Sequence, residues 1–176
     1  TLGIDHEAFL LRPEAGAPEA PLARIAFEKA GIVRGPAPLV TLSYPESATL
    51  EIERAALTAG APLHMRGRDW DAAIGDMIEY SDRHGELALP LPTLPGTHQA
   101  ENAALAVAIL RHQDRVTVSA QAMAEGIRNA KWPARLQHLR NGPLTRHAGG
   151  REVWLDGGHN PDAGLANARH FAGQRL

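Results

Sequence analysis

Leu155-Asp156-Gly157-Gly158-His159-Asn160-Pro161 is the stretch on which the reading of this 176-residue chain turns. A short apolar run, Val153 to Leu155, ends on an acid, and two glycines then let the backbone turn tightly. Asn160 and Pro161 supply a helix cap and a first helical residue. Strand, glycine turn and capped helix follow one another here, and the order strand, helix, strand, helix upstream of residue 133 predicts an α/β protein. In open α/β sheets, ligands collect beyond the carboxyl ends of strands. The turn can bring the Asp156 carboxylate and the His159 imidazole together beside a helix N-terminus, where an acid can accept hydrogen bonds from ribose hydroxyls. An Asx-type cap with no ligand satisfies the same residues equally well.

Working upstream, Asn141-Gly142-Pro143 marks a turn, and Leu136 to Arg140 predicts another strand. Before it stands Trp132-Pro133-Ala134-Arg135-Leu136-Gln137, which breaks the preceding helix and suggests a domain boundary near residue 133. An arginine at such a junction can clamp phosphate through two parallel hydrogen bonds, or can form an interface ion pair. Ser119 should cap a helix ending near Asn129. Thr97 should cap another running from His98 to about His112, with Asn102 on the apolar stripe of Leu105, Ala106 and Ile109. An amide buried there needs a backbone or ligand partner. Met77–Ser81 and Glu86–Leu91 flank Asp82-Arg83-His84-Gly85 as a hairpin. Pro38–Leu42 and Leu63–Arg66 read as short strands. Between them Ser43 and Glu46 have capping-box spacing before a helix stopped by Gly60. Leu22 to Ala30 predicts a helix closed by a left-handed Gly31. The loop from Pro13 to Pro21 precedes it, and Thr1-Leu2-Gly3-Ile4 reads as the end of a strand leading into Asp5-His6.

Composition narrows the chemistry. With 18 basic and 20 acidic side chains, the formal charge is −2, and the aromatics are three Phe, three Trp and two Tyr, so a general nucleic-acid surface is not expected. The longest wholly apolar run, Ala103 to Leu110, is far too short to span a bilayer, and no signal peptide is visible; a cytosolic setting is expected. No cysteine is present, which excludes disulfides, thiolate zinc sites and a cysteine nucleophile. No G-x-S-x-G or H-E-x-x-H occurs, which argues against serine and zinc hydrolases. The two lysines, Lys29 and Lys131, follow Glu28 and Ala130, so there is no G-x-x-x-x-G-K-[ST] phosphate loop. Lys29 lies in Glu28-Lys29-Ala30-Gly31-Ile32. A desolvated lysine amine can capture carbon dioxide as a carbamate, an oxygen-donor anion suited to Mg²⁺. A helix-end lysine opposing the dipole is the plainer alternative.

Five blocks fall in one order: Gly3-Ile4-Asp5-His6, Ile25 to Ile32, Gly96-Thr97-His98-Gln99 with Asn102-Ala103-Ala104, Trp132 to Gln137, and Leu155 to Pro161. Together they resemble the folylpolyglutamate synthase and dihydrofolate synthase group of the Mur ligase superfamily, over essentially the whole chain. The E-K-A-G-I and H-N-P blocks favour the folate branch over the cell-wall ligases. The resemblance implies the C-terminal part of a Mur-ligase-type central nucleotide-binding domain, residues 1–133, followed by the start of a Rossmann-like C-terminal domain, residues 134–176.

Residue by residue, it implies that His6 is a Mg²⁺ ligand and that Lys29 is carbamylated and associated with that Mg²⁺. It implies that Asn102 and Arg135 contact ATP, that Asp156 closes over the nucleotide and that His159 lies near it. The implied reaction is ATP-dependent addition of L-glutamate to dihydropteroate or a reduced folate through an acyl phosphate, in a protein expected to be a monomer. The stretch between His6 and Lys29 is longer than the family's usual spacing. Ala134 stands where Gly is usual, and Gly158 where Ala is common. The family's glycine-rich phosphate loop, folate-binding region and most of its C-terminal domain lie outside these residues. The chain is therefore expected to be part of a larger enzyme and inactive alone. Another Mur-type amino-acid ligase and a catalytically dead partner-binding domain are the competing readings.

Overall fold

The computed structural model describes residues 16–172, which form five α-helices and seven strands in three small sheets. The first unit is helix α1 (Pro21–Ala30), strand β1 (Leu39–Thr41), helix α2 (Glu46–Ala59) and strand β2 (Leu63–Met65). β1 and β2 pair in parallel, Val40 opposite His64, with α2 as the crossover between them. Ala26 of α1 packs with Ala48 and Ile52 of α2, and Leu39 and Leu63 of the two strands cover that cluster. Alanine at 26 and 48 lets the two helices lie close together.

An antiparallel meander follows: β3 (Trp70–Ile74), β4 (Ile78–Asp82) and β5 (Gly85–Leu89). Its alternation sets one face inward. Trp70, Ala72, Ile78, Tyr80 and Leu89 are buried, while Asp71, Ala73, Glu79 and Ser81 face solvent. Helix α3 (His98–Arg111) lays Ala100, Ala104, Val107 and Ala108 on that face, and helix α4 (Ala120–Asn129) adds Met123 and Ile127. After an irregular segment come β6 (Gln137–His138), a 3-10 turn at Thr145–Ala148, β7 (Trp154–Leu155) and helix α5 (Pro161–Phe171), with β6 and β7 antiparallel.

Most predicted elements are present, and several local details differ. Gly60 ends α2 in the left-handed conformation, at φ +65°. Gly31, in contrast, closes α1 at φ −58°, because its N–H still bonds back to Phe27 and Glu28 and prolongs the right-handed turn. Ser43 and Glu46 form no capping box: Pro45 occupies the cap, and Thr49 Oγ1 donates to the Tyr44 carbonyl from inside the helix. Thr97 makes no side-chain cap, whereas Ser119 and Asn160 do, accepting from Ala122 N at 3.1 Å and Ala163 N at 2.7 Å. Strand β3 is an addition to the expected elements.

The end of α3 is tied to the meander by an unusual polar cluster. Asp82, its side chain fully buried, accepts from Arg111 Nε and Nη2, from Tyr80 OH and from the backbone N–H of His84. His112 lies beside it, 5% exposed, stacked on the His64 ring at a centroid distance of 4.2 Å. Neither ring nitrogen of His112 makes a hydrogen bond; Nε2 stands 3.5 Å from Asp82 Oδ2.

Burial lowers the pKa of His64, His98 and His112 below the ordinary 6.5. For His112 the neighbouring His64 and the nearby Arg83 add to the effect, against the pull of Asp82. All three shifts act in one direction. As pH falls through 6.5 the unfolded chain takes up protons that the folded chain refuses, so stability is lost from there down to the folded pKa values. Each histidine contributes at most about 1.4 kcal/mol per pH unit in that window. Urea midpoints at pH 7.5 and 5.5 should therefore differ, the acid midpoint being lower. His112→Leu should shrink the difference, and an unchanged difference would remove His112 from the explanation.

Candidate functional site

A cleft of about 740 Å³ opens beyond the carboxyl ends of the parallel pair β1–β2. Leu42 and Ser43 follow β1, and Arg66 and Gly67 follow β2; all four line it. The start of α3 supplies His98, Gln99, Glu101 and Asn102, and the segment before β6 supplies Arg135. The β7–α5 turn contributes Asp156, Gly157, Gly158, His159 and Asn160. This is where an α/β topology is expected to gather a ligand. Four residues singled out in the sequence, Asn102, Arg135, Asp156 and His159, thus come from three distant segments to one cleft.

The electrostatics suit an anion with a polar sugar-like portion. Two helices begin at the cleft, and helix N-termini present free N–H groups and positive potential. Arg135 is exposed and carries its guanidinium to the cleft between them. Arg66 is a structural cation instead: it pairs with Asp71 at 2.9 Å and with Glu101, and its guanidinium lies over Trp70. Asp156 is held ionised. Burial raises its pKa, but hydrogen bonds from Leu136 N, Asn167 Nδ2 and Gly158 N, with the charge of Arg135, outweigh burial and bring it below the usual carboxylate range. Burial, aided by the charge of Arg135 and against the pull of Asp156, lowers the His98 pKa, so the imidazole is neutral near pH 7.

The path between Arg135 and Asp156 is geometrically demanding. Ala134 and Leu136 have φ of +57° and +44°, the two non-glycine residues with positive φ among the described residues. A left-handed backbone costs a residue with a Cβ roughly 1–2 kcal/mol. Ala134 thus holds, under strain, a conformation that glycine adopts freely. Leu136 is 1% exposed, so its side chain anchors the segment in the core. Gly158 is crowded rather than strained: a Cβ there would lie 2.7 Å from both Asp156 Oδ1 and Ala163 Cβ.

Two expectations need correction or restriction. Asn102 is not buried on an apolar stripe. It is exposed to the cleft with Ala106 and Ile109 on the outer side of α3, and its Nδ2 donates to Gln99 Oε1 at 3.2 Å. α3 buries Ala100, Ala104, Val107 and Ala108 in the cluster of Trp70 and Tyr80, Leu105 is partly buried against that cluster, and Ala106 and Ile109 are exposed. Lys29 is exposed near the end of α1 and does not line the cleft, while His6 lies outside the described residues. Among the described residues no group of three or more His, Asp or Glu side chains is arranged to hold a metal ion. Sequence reasoning passes over Gln99, which is 7% exposed and lines the cleft, and Asn167, which holds Asp156. The signal for Gln99 is its place in Gly96-Thr97-His98-Gln99; nothing local marks Asn167.

No protein-family model matches the chain. Among characterised proteins, it is 34% identical over 154 residues to a probable bifunctional folylpolyglutamate synthase/dihydropteroate synthase of Haloferax volcanii, covering 81% of this chain and 17% of that protein. To the mitochondrial folylpolyglutamate synthase of Homo sapiens it is 29% identical over 197 residues, covering 97% of this chain and 29% of the human protein. The solved structure of E. coli FolC in complex with DHPP and ADP superposes with a TM-score of 0.72 and 30% identity, covering 99% of this chain and 37% of that one. The chain thus spans well under half of each relative. By sequence kinship and by fold, it belongs to the folylpolyglutamate synthase and dihydrofolate synthase family.

Proposed function

We propose that these residues form the nucleotide-facing part of an ATP-dependent ligase that adds L-glutamate to dihydropteroate, to a reduced folate, or to both. The observation that carries this reading is the convergence of Asn102, Arg135, Asp156 and His159 on one cleft at the carboxyl ends of β1 and β2. The relatives named above fit it. In the proposal the chain divides near residue 133, residues 1–133 being part of the central ATP-binding domain and 134–176 the beginning of the C-terminal ligase domain. The separate β6–β7 sheet supports that division. A cytoplasmic location and a monomeric state complete the proposal.

Chemically, the substrate carboxylate attacks the γ-phosphorus of ATP and ADP leaves, giving an acyl phosphate; the glutamate amine then attacks the acyl carbon and phosphate leaves, forming the amide. Arg135 binds phosphate oxygens in this scheme, and its fixed fork suits them better than a lysine would. Asn102, on the outer side of α3, offers an amide to the base or sugar. Asp156 and His159 stand at the β7–α5 turn, so a nucleotide in the cleft touches both proposed domains. Closure of the two parts excludes water from a hydrolysable acyl phosphate. Mg²⁺, when bound, neutralises phosphate charge; it enters this proposal through His6 and Lys29, by family resemblance, with no described cluster to hold it.

Glutamate-dependent phosphate release by the full-length protein, with dihydropteroate and with tetrahydrofolate as separate substrates, tests the assignment. Release with neither would overturn it. Lys29 gives a sharper test of the metal half. As an exposed helix residue it tolerates Arg without loss of folding, and arginine cannot form the carbamate. Lys29→Arg should lower turnover by roughly a hundredfold or more with an unchanged unfolding midpoint. Unaltered turnover would reject the carbamate.

A further inference from the structure

Both oxygens of Asp156 are engaged: one holds the backbone beside Arg135, and the other is fixed by its own turn and by helix α5. Oδ2 accepts from Leu136 N at 2.7 Å; Oδ1 accepts from Gly158 N at 2.7 Å and Asn167 Nδ2 at 3.2 Å. The next residue, Gly157, donates its N–H to the Ala134 carbonyl at 2.8 Å. Gln137 Oε1 accepts from Ala134 N at 3.0 Å. The peptide units on either side of Arg135 are therefore pinned to the β7–α5 turn, at the two residues whose φ is positive. A strained backbone persists only where its surroundings over-determine it, and these hydrogen bonds are those surroundings.

We propose that Asp156 is a positioning residue: its carboxylate latches the Ala134–Leu136 segment in its left-handed conformation and so aims Arg135 into the cleft. This rests on the nucleotide reading given above for what Arg135 binds. It assigns Asp156 a task beyond any contact with ribose. Without the latch, Ala134 and Leu136 relax towards ordinary backbone angles and Arg135 leaves the cleft. The fraction of molecules competent to bind then falls, and apparent affinity falls with it.

A glycine at position 134 separates the latch from a direct contact. Glycine adopts the left-handed conformation without penalty, so Ala134→Gly favours the latched segment. In the wild type that segment is already fully populated, and nothing measurable is gained. In Asp156→Asn, where the latched state is only partly populated, the same glycine restores it.

The full-length protein is compared as wild type, D156N, A134G and the double variant. Two readouts are used: ADP affinity by calorimetry, and the rate of tryptic cleavage after Arg135 without nucleotide. D156N should weaken ADP about tenfold or more and speed cleavage between Arg135 and Leu136 by a similar factor, because both follow the unlatched fraction. A134G alone should move either by less than about twofold, and in the D156N background should recover at least about threefold of each. An ADP loss from D156N that is the same with and without A134G, with cleavage unchanged, would overturn the latch and leave only a direct nucleotide contact. If the wild type does not bind ADP, the nucleotide reading fails, and the cleavage rates alone decide the latch. Should D156N fail to fold, Asn167→Ala replaces it, since it withdraws one hydrogen bond from the carboxylate. About threefold faster cleavage, reversed by A134G, supports the latch, and no change rejects it.

Discussion

Arg111→Ala should destabilise the fold by about 3–5 kcal/mol, enough to consume much of the stability of an ordinary domain. The reason lies in Asp82, whose side chain has no solvent exposure at all. Arg111 Nη2 and Nε reach its two oxygens at 2.6 and 2.8 Å, and the guanidinium also lies over the Tyr80 ring, 5.4 Å from its centroid. Burial by itself would raise the Asp82 pKa; the hydrogen bonds from Arg111, His84 N and Tyr80 reverse that and push it down to about 2. With Arg111 removed, a buried anion is left with two neutral donors and a histidine whose own pKa burial lowers. Breaking a buried pair from one side is costly because the remaining charge cannot reach water.

Removing both charges, in Asp82→Asn with Arg111→Met, should therefore cost clearly less than Arg111→Ala alone. Urea unfolding of the two variants checks this, and a loss under about 1 kcal/mol for Arg111→Ala would mean the pair behaves as a surface one. The pair matters to the cleft as well. It fixes the C-terminal end of α3, whose N-terminal end carries His98, Gln99 and Asn102.

Two helix starts are legible in the sequence because their limits are written in local chemistry. Ser119 and Asn160 are side-chain caps whose bonds need only the next three residues, and both form as expected. The hairpin at Asp82-Arg83-His84-Gly85 is readable for the same reason. Strand β3 is not: Trp70-Asp71-Ala72-Ala73-Ile74 has two alanines and an acid in five residues, and it is a strand because β4 offers a partner in register. β-structure of that kind is decided by tertiary context.

The inward face of α3 differs from the expected one because alanine does not announce which side of an apolar helix is inside. The face that goes inward, Ala100, Ala104, Val107 and Ala108, is settled by packing against the meander residues Trp70 and Tyr80. For the cleft, Asn102, Arg135, Asp156 and His159 can be found one by one in their blocks. The hydrogen bonds that join the Arg135 segment to Asp156 cannot, since they depend on two backbone angles that no side chain at 134 or 136 advertises.

Arg135→Ala should leave stability within about 0.5 kcal/mol, as for other exposed positions, while lowering kcat/KM of the full-length enzyme by roughly a hundredfold to a thousandfold. The residue is exposed and is carried by a backbone whose neighbours do the anchoring. Among the described residues, its guanidinium is the cleft-lining arginine that no carboxylate neutralises at salt-bridge distance, in contrast to Arg66 with Asp71 and Glu101. Under the proposed function, a phosphate transferred there would meet a charge already in place, which costs no reorganisation at the moment of reaction. Arg135→Lys should recover less than about a tenth of the lost activity, because an ammonium offers no planar fork.

A second readout needs no substrate. Arg135 lowers the pKa of both His98 and Asp156, so its removal should move the His98 titration upward, seen by proton resonance of the imidazole. Lost activity with an unmoved His98 titration would mean that Arg135 does not stand beside His98 and Asp156 in the working enzyme. Retained activity with a shifted titration would mean that it stands there but does not serve the phosphate.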